Sequence, residues 1–500
     1  MTIILVYLAA VMLTALGILI AYRKCILRSK AIPKIWGVPI LGILMHLKSY
    51  DYQKILTNVL RNKGKICAVQ LGSYECLWLN DHKVIREAWS NPACCGRPKM
   101  QGIVDRTAGF LGGIIFNEGQ DFKEQRSFTV SHLKDLGLGK QCMEGVISSE
   151  VDTVIETLVQ TKGQPLSTRH LFNVASLNVL WGIISGDRYR HDDPALNNLV
   201  ESITRNMELQ GGAMVGFFIP WLAHWFPNLV GWTSYLSDAN KVFKFWRQFA
   251  KRRIKSFEMA DKGHGPTCFV DMYIQHVKQC KSLTSSFFGD KGELSLASTL
   301  QDLFIAGTET TSATLSWLML HLAVFQNYQE NIYQEICHVV GDRKPSLGDR
   351  RKMLLTEAFI SETMRHVTLA PLGMVHCTTD DVDLCGTYFI PKGTILHANI
   401  CAAHHDPSQW ERPHHFFPER FISSDGSKHL QHDSFLPFSF GKRRCPGELL
   451  ARHELFLFLV GIIHQFSVTI DPSEIEDCLK PKLGVSATPK PHLLEFHQRQ

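Results

Sequence analysis

Apolar and polar positions recur with a helical period through most of this chain. Residues three and four apart on one face predict helices over 143–161, 167–185, 236–260, 294–326, 327–340, 353–367 and 447–464. Two stretches break that rhythm. "KICAVQLGSYECLWLN" alternates with period two around Gly72-Ser73 and predicts a β-hairpin at 66–79. "DVDLCGTYFIPKGTILHAN" predicts a second β region that turns at Pro391-Lys392-Gly393. The fold class read from this pattern is mainly α with small β-sheets (α+β), without an internal repeat. The polar stretch 279–293 reads as a disordered insert.

The first twenty-two residues, "MTIILVYLAAVMLTALGILIAY", carry no charged side chain and are followed by Arg23, Lys24, Arg28, Lys30 and Lys34. A run of that length crosses a bilayer as one helix. A cleaved signal peptide would show a basic start, a shorter apolar core and a small-residue cleavage site. The trailing positive charge places the rest of the chain in the cytosol. The organisation expected is a transmembrane anchor at 1–22, a basic neck at 23–45 stiffened by Pro33 and Pro39, and one catalytic domain at 46–500.

Composition narrows the function classes. With 500 residues, 45% of them hydrophobic, a large core forms. Lys and Arg number 53 against 47 Asp and Glu, so the net charge of +6 argues against a dedicated nucleic-acid binder. Fourteen cysteines without regular spacing, in a reducing compartment, read as free thiols and not as a disulfide or zinc framework. The doublets His404-His405 and His414-His415 sit in a proline-broken stretch that reads as a loop of surface histidines. Neither a P-loop nor a GxGxxG after a strand is present, so the chain binds no nicotinamide of its own.

Four constellations carry chemistry. Glu309, Thr310 and Thr311 interrupt an otherwise apolar helix beside Gly307. Thr310 can return its hydroxyl to the carbonyl of Ala306 and open a polar notch for a small ligand or water, or the three form a solvent-facing stripe. Glu362 and Arg365 are three apart on one helix face and can pair. Arg420 in "FFPERF" is a further candidate. In "FSFGKRRCPGE", Phe438, Gly441, Cys445 and Gly447 form FxxGxxxCxG, with a helix beginning behind them. Glycine amides, the helix N-terminus and Lys442, Arg443 and Arg444 favour thiolate. Such a thiolate serves as nucleophile, redox thiol or axial metal ligand, and no second cysteine or base stands nearby to support the first two.

Taken in order, AGTETT at 306–311, ETMR at 362–365, PERF at 418–421 and FSFGKRRCPG at 438–447 resemble the cytochromes P-450, the haem-thiolate monooxygenases. "FKEQRSFTVSHLKDLGLGK" and "PLGMVHCTTDDVDLCGTYFIPKGT" resemble microsomal animal members of the second clan. The resemblance covers essentially the whole chain. It implies the cytochrome P-450 fold behind an N-terminal transmembrane helix, with heme b as cofactor and Cys445 as the axial thiolate, whose electron donation favours O–O cleavage. It implies Thr310 and Glu309 as the acid-alcohol pair that delivers protons, with Ala306 and Gly307 lining the groove. Glu362, Arg365 and Arg420 then form a structural network. Arg126, His376, Arg443 and Arg97 hold haem propionates, and Phe438 packs beside the thiolate. The substrate pocket implied is lined by Phe110, Leu111, Ile114, Phe116, Leu303, Leu369, Leu372 and Val485. Two departures stand out: Phe122 replaces a usual tryptophan, and the usual proline-rich neck is reduced to Pro33.

Insertion of one oxygen atom into a lipophilic substrate (steroid, fatty acid, terpenoid or xenobiotic) leads this reading. Electrons come from NADPH through a separate flavoprotein reductase, with cytochrome b5 as a second partner, at the endoplasmic reticulum membrane. Lys123, Lys134, Lys140, Lys442 and Arg444 are docking candidates for an acidic partner, or simply a solvated face. A haem-thiolate isomerase tends to lose the acid-alcohol pair that is intact here, and a carrier or sensor would have no use for it.

Overall fold

The computed structural model describes residues 32–38, 40–44, 55–137, 141–190, 193–207, 213–259 and 265–499. In chain order its main helices are α1 (His82–Ser90), α2 (Gly119–Asp135), α3 (Gln141–Thr161), α4 (Thr168–Ser185), α5 (Pro194–Met207) and α6 (Trp232–Met259). They continue with α7 (Phe269–Gln279), α8 (Gly289–Val324), α9 (Gln326–Val340), α10 (Leu354–Val367) and α11 (Glu448–Gln465). Strands β1 (Lys34–Ile35), β2 (Ile66–Leu71) and β3 (Tyr74–Leu79) come early. Strands β4 (His376–Cys377), β5 (Val382–Leu384), β6 (Tyr388–Ile390) and β7 (Ile395–Ala398) follow α10. Strand β8 is Phe466–Thr469, β9 Lys482–Leu483, β10 Ala487–Thr488 and β11 Glu495–Gln498.

Helix α8 organises the rest. Its 36 residues rise about 54 Å and are apolar nearly all round, as a helix enclosed by others must be. It packs against α4, α6, α10 and α11. Helices α4 and α11 are buried on almost every side for the same reason, with "LFNVASLNVLWGIIS" and "ELFLFLVGII" as their cores.

The largest sheet has the order β1-β2-β3-β7-β4. Strands β2 and β3 form the hairpin expected at 66–79, closing with Leu71 opposite Tyr74. β3 runs parallel to β7, with Cys76 opposite Ile395. Lys34 and Ile35 of the neck pair in parallel with Ala68 and Val69. The anchor expected at 1–22 lies outside the described residues. No helix among the described residues is long and apolar enough to cross a membrane.

Two sequence expectations are corrected. The stretch 279–293 is not a disordered insert, because Phe287 is buried and Glu124 Oε2 accepts from the Ser286 amide at 2.9 Å and both Ser285 and Ser286 hydroxyls. Its serines are polar because they satisfy a carboxylate, not because they face water. His404 and His405 are not surface histidines either. Both are buried, and His404 Nε2 accepts the Leu436 amide at 2.9 Å while its Nδ1 meets Thr368 Oγ1 at 2.9 Å.

Candidate functional site

The cysteine loop is shaped by one glycine. Gly441 takes φ +72°, and a Cβ there would sit 1.9 Å from the carbonyl oxygen of Trp89, so only glycine lets the loop lie on α1. The Arg444 amide then donates to Gly441 O at 3.1 Å and the Cys445 amide to Phe438 O at 3.0 Å. The Phe438 ring lies under the Arg452 guanidinium, 5.0 Å from its centroid. Cys445 has accessible surface yet stands in a recess, where desolvation pushes its thiol above the ordinary value. The Gly447 amide, Arg126 and Arg444 pull in the opposite direction, towards thiolate. A coordinated metal cation completes that shift, since it deprotonates a thiol outright.

Beside the loop, four nitrogen-bearing side chains converge with few acids to balance them. Arg97 is buried, donates to Ile115 O at 2.8 Å and Val375 O at 2.5 Å, and desolvation with repulsion from Arg443 pushes it down to about 9. Arg443 donates to Cys95 O and Asn117 O, and burial pushes it down to about 10. Arg126 donates to Arg444 O at 2.5 Å, and desolvation lowers it too. His376 stacks on Trp89 at 3.9 Å, and its Nδ1 meets Met374 O at 2.7 Å. Burial, then Arg97, hold it well below the usual imidazole range.

Arg443 Nη1 and His376 Nε2 are buried without a protein partner. A buried cation or polar atom without a partner is costly. The cluster therefore calls for an anionic acceptor with more than one oxygen.

Behind this cluster Glu362 and Arg365 meet with both side chains fully buried. Arg365 donates from Nε to Glu362 Oε2 at 2.7 Å and from Nη2 to Oε1 at 2.8 Å. Its Nη1 serves the carbonyls of His404 and Pro413. Arg420 Nε lies 3.1 Å from Glu362 Oε2, in ion-pair range although not aligned for a hydrogen bond. Both guanidinium groups lie over the Trp410 ring.

On α8 the Thr310 hydroxyl donates to Ala306 O at 2.6 Å, and the Ala306 side chain is exposed. Glu309 is turned elsewhere. Its buried carboxylate receives Arg169 Nη2 at 3.0 Å and the Thr204 hydroxyl at 3.3 Å. Thus the structure does not bring the two functional groups of the expected pair into direct contact. Gly307 faces α4, where a Cβ would sit 2.4 Å from Leu180 Cδ2, so its missing side chain serves helix packing.

The residues expected to line a pocket come from three segments tied to α8. The amides of Ile114 and Ile115 donate to Asp302 Oδ2 at 2.8 and 2.9 Å, and Arg106 Nη2 donates to Oδ1 at 2.8 Å. This pins the loop bearing Phe110, Leu111, Ile114 and Phe116 beside Leu303. The Ala487 amide donates to Leu369 O, which joins the Leu369–Leu372 segment to the turn bearing Val485. Asp302, Arg106 and Arg169 hold these segments and Glu309 in place, and the sequence reading missed them. Asp302 and Glu309 do stand out as acids inside an apolar helix, but their partners are 196 and 140 positions away.

A family model described as cytochrome P450 matches residues 33–496. The chain belongs to the cytochrome P450 family. It is 30% identical to the farnesoate epoxidase of Bombyx mori, over 92% of each chain. Cytochrome P450 2K4 of Oncorhynchus mykiss is 30% identical, over 91% of this chain and 90% of its own. Cytochrome P450 2C29 of Mus musculus is 31% identical, over 98% and 99%. This P450 is accordingly a monooxygenase with haem b bound axially by a cysteine thiolate. The cationic cluster fits such a group: the buried Arg443 Nη1 is a donor without a protein partner, as a carboxylate of haem b would require.

Phe122, where many P450s have tryptophan, supplies a ring and no donor. The Arg443 guanidinium carbon is 3.2 Å from its centroid and that of Arg126 is 5.9 Å away. The ring thus holds Arg443 in place. Phe122→Leu is expected to speed haem loss about tenfold, the equivalent of one partly desolvated cation–π contact. The check is haem transfer to a scavenging apoglobin, and a rate equal to wild type would refute the platform.

Proposed function

We propose that Cys445 is the axial ligand and that the protein inserts an oxygen atom into a lipophilic small molecule. The observation that carries this is the joint placement of the Cys445 loop and the partnerless Arg443 and His376 atoms, which fits one flat, dianionic, metal-bearing group. Arg97, Arg126, Arg443 and His376 hold its carboxylates. The haem supplies the oxygen-activating chemistry. The chain excludes water with the apolar residues around Phe110, Ile114, Leu303, Leu369 and Leu372, and Thr310 and Glu309 move protons. The mostly apolar lining, with the name of the Bombyx relative, favours a steroid, fatty acid, terpenoid or foreign lipophile.

Electrons arrive from NADPH through a separate flavoprotein reductase, with cytochrome b5 as a second donor. Lys123, Lys134, Lys442 and Arg444 are exposed beside α2 and the cysteine loop and suit an acidic partner, while Lys140 lies outside the described residues. The deciding experiment is the reduced carbon monoxide spectrum of wild type and Cys445→Ser. A strongly red-shifted Soret band in wild type, lost in the variant, is expected. An identical band in both would remove Cys445 from the iron.

The protein works at the endoplasmic reticulum membrane, and one face supports contact beyond the anchor. Trp225, Phe226 and Leu229 are 70%, 53% and 80% exposed, and Trp36 of the neck is 69% exposed. The Ser73 amide donates to Phe218 O, so the β2–β3 turn joins this segment to the sheet that the neck enters. Aromatic and apolar side chains of this kind bury in the interfacial layer of a bilayer. A chain lacking 1–22 is expected to co-sediment with phosphatidylcholine vesicles, and a Trp225→Ser, Leu229→Ser double variant is expected to remain in the supernatant.

A further inference from the structure

Helix α2 carries a glutamine at the centre of its inner face. Gln125 is 0% exposed, as are Tyr273 of α7, Thr299 of α8 and Ser286 of the turn between those helices. Its Oε1 accepts from Tyr273 Oη at 2.7 Å and from Thr299 Oγ1 at 3.4 Å. Its Nε2 donates to Ser286 Oγ at 3.0 Å and to Ser286 O at 3.5 Å. Both acceptor positions and both hydrogens of the amide are therefore used. Ser286 also reaches the neighbouring Glu124, donating its own hydroxyl to Oε2 at 2.8 Å. The rings of Phe128, Phe269 and Phe287 surround Tyr273 at centroid distances of 5.2, 6.0 and 5.1 Å. Burial pushes the Tyr273 phenol far above its ordinary value, so it stays a donor.

A fully bonded amide in so dry a setting is directional, where a leucine would only fill space. It fixes the rotation of α2 about its own axis. The next residue along is Arg126, and successive residues on a helix point about 100° apart. With Gln125 held towards α7 and α8, Arg126 turns towards the cysteine loop and donates to Arg444 O. Phe122, three positions before Gln125, holds the Arg443 guanidinium over its ring. A side-chain tip lies about 6 Å from the helix axis, so a turn of about 10° displaces it by about 1 Å. A shift of that size takes a charge-assisted hydrogen bond out of range.

We propose that Gln125 is a positioning residue for the haem and acts through Arg126: the four bonds of its amide set the rotation of α2 and so keep the Arg126 guanidinium at a haem carboxylate. The inference rests on the reading of Arg126 as a holder of that carboxylate.

The test is haem transfer from the loaded full chain to a scavenging apoglobin, read beside the urea midpoint. Gln125→Leu with Tyr273→Phe removes the amide and its closest partner together. Ser286 keeps its bond to Glu124, and Thr299 can return its hydroxyl to the carbonyl one turn back. Trading both partners for apolar groups of similar shape is nearly neutral for folding, so the midpoint should stay at the wild-type value. Haem loss should rise about fivefold, in line with one lost hydrogen bond. Arg126→Gln should raise it about tenfold, since its bond is charge-assisted. The triple variant should lose haem no faster than Arg126→Gln alone, because a residue that acts through Arg126 then has nothing left to act on. A wild-type rate in the double variant, or a triple-variant rate that multiplies the two effects, overturns the positioning role. If the double variant does not fold, Tyr273→Phe alone should still speed loss about threefold, and an unchanged rate there overturns the role equally. An Arg126→Gln variant that keeps haem as firmly as wild type would instead remove the carboxylate reading, and the inference with it.

Discussion

Arg365→Ala is expected to yield a chain that does not reach the native state. The substitution strips the fully buried Glu362 carboxylate of its two shortest hydrogen bonds and leaves the carbonyls of His404 and Pro413 without their donor. Among the described residues, Arg420 remains as the guanidinium near Glu362, at 3.1 Å and poorly aligned. Breaking a buried ion pair by removing one partner costs about 3–5 kcal/mol, and each orphaned carbonyl adds about 1–3. Set against a total stability of about 5–15 kcal/mol, the sum is enough to unfold the domain. Arg365→Lys should rescue little, because one ammonium cannot serve four acceptors in a plane. Near-ultraviolet circular dichroism and urea titration of the two variants check this, and a cooperative transition in Arg365→Ala close to the wild-type midpoint would count decisively against it.

Acidification is expected to unfold the protein through its buried histidines. His404 is pushed down to about 3, and His397 and His453 to about 4, by burial in each case. For His404 the structure adds a specific reason: Nε2 accepts the Leu436 amide, so a proton there would face an N–H. The sign follows from proton counts. These rings stay neutral in the folded chain but bind protons below about 6.5 when unfolded, so the unfolded state takes up more protons and stability falls with falling pH. The window opens near pH 6.5 and runs to about pH 4 for His397 and His453 and about pH 3 for His404. At pH 5 each ring contributes a loss of about 2 kcal/mol.

Glu454 acts in the opposite sense. Burial raises it well above the carboxylate range, so the cost of keeping it neutral fades as pH falls, which offsets part of the loss from the histidines. The urea midpoint measured from pH 7 down to 4 is expected to drop throughout. A midpoint flat across that range would mean the rings are charged inside the fold.

The long buried helices were legible because a helix enclosed on all sides carries apolar residues on all sides, as α8, α4 and α11 do. Helix α2 was not legible. Its buried face alternates Phe122, Phe128 and Leu133 with Gln125 and Thr129. Gln125 Nε2 donates to the Ser286 hydroxyl and its Oε1 accepts from Tyr273, contacts from which the amphipathic pattern gives no hint. The same blindness hid His404, whose burial depends on Leu436 and Thr368 as partners. At the site, the cysteine loop and the Glu362–Arg365 pair are short-range patterns and could be read directly. Asp302 and Glu309 were answered by arginines brought in by the fold, and pairing at that distance leaves no local trace.

The short pairing of Lys34 and Ile35 with β2 bears on how the chain is best shortened. Pro33 O accepts the Ala68 amide at 2.9 Å, so those few neck residues close the outer edge of the sheet. A truncation that removes the apolar leader but stops short of Pro33 preserves that seal. One that begins a few residues later turns β2, with its buried valine and alanine, into an open template for a neighbouring molecule. Aggregation of such a shortened protein would then reflect an unzipped sheet margin, even with the whole catalytic constellation in place.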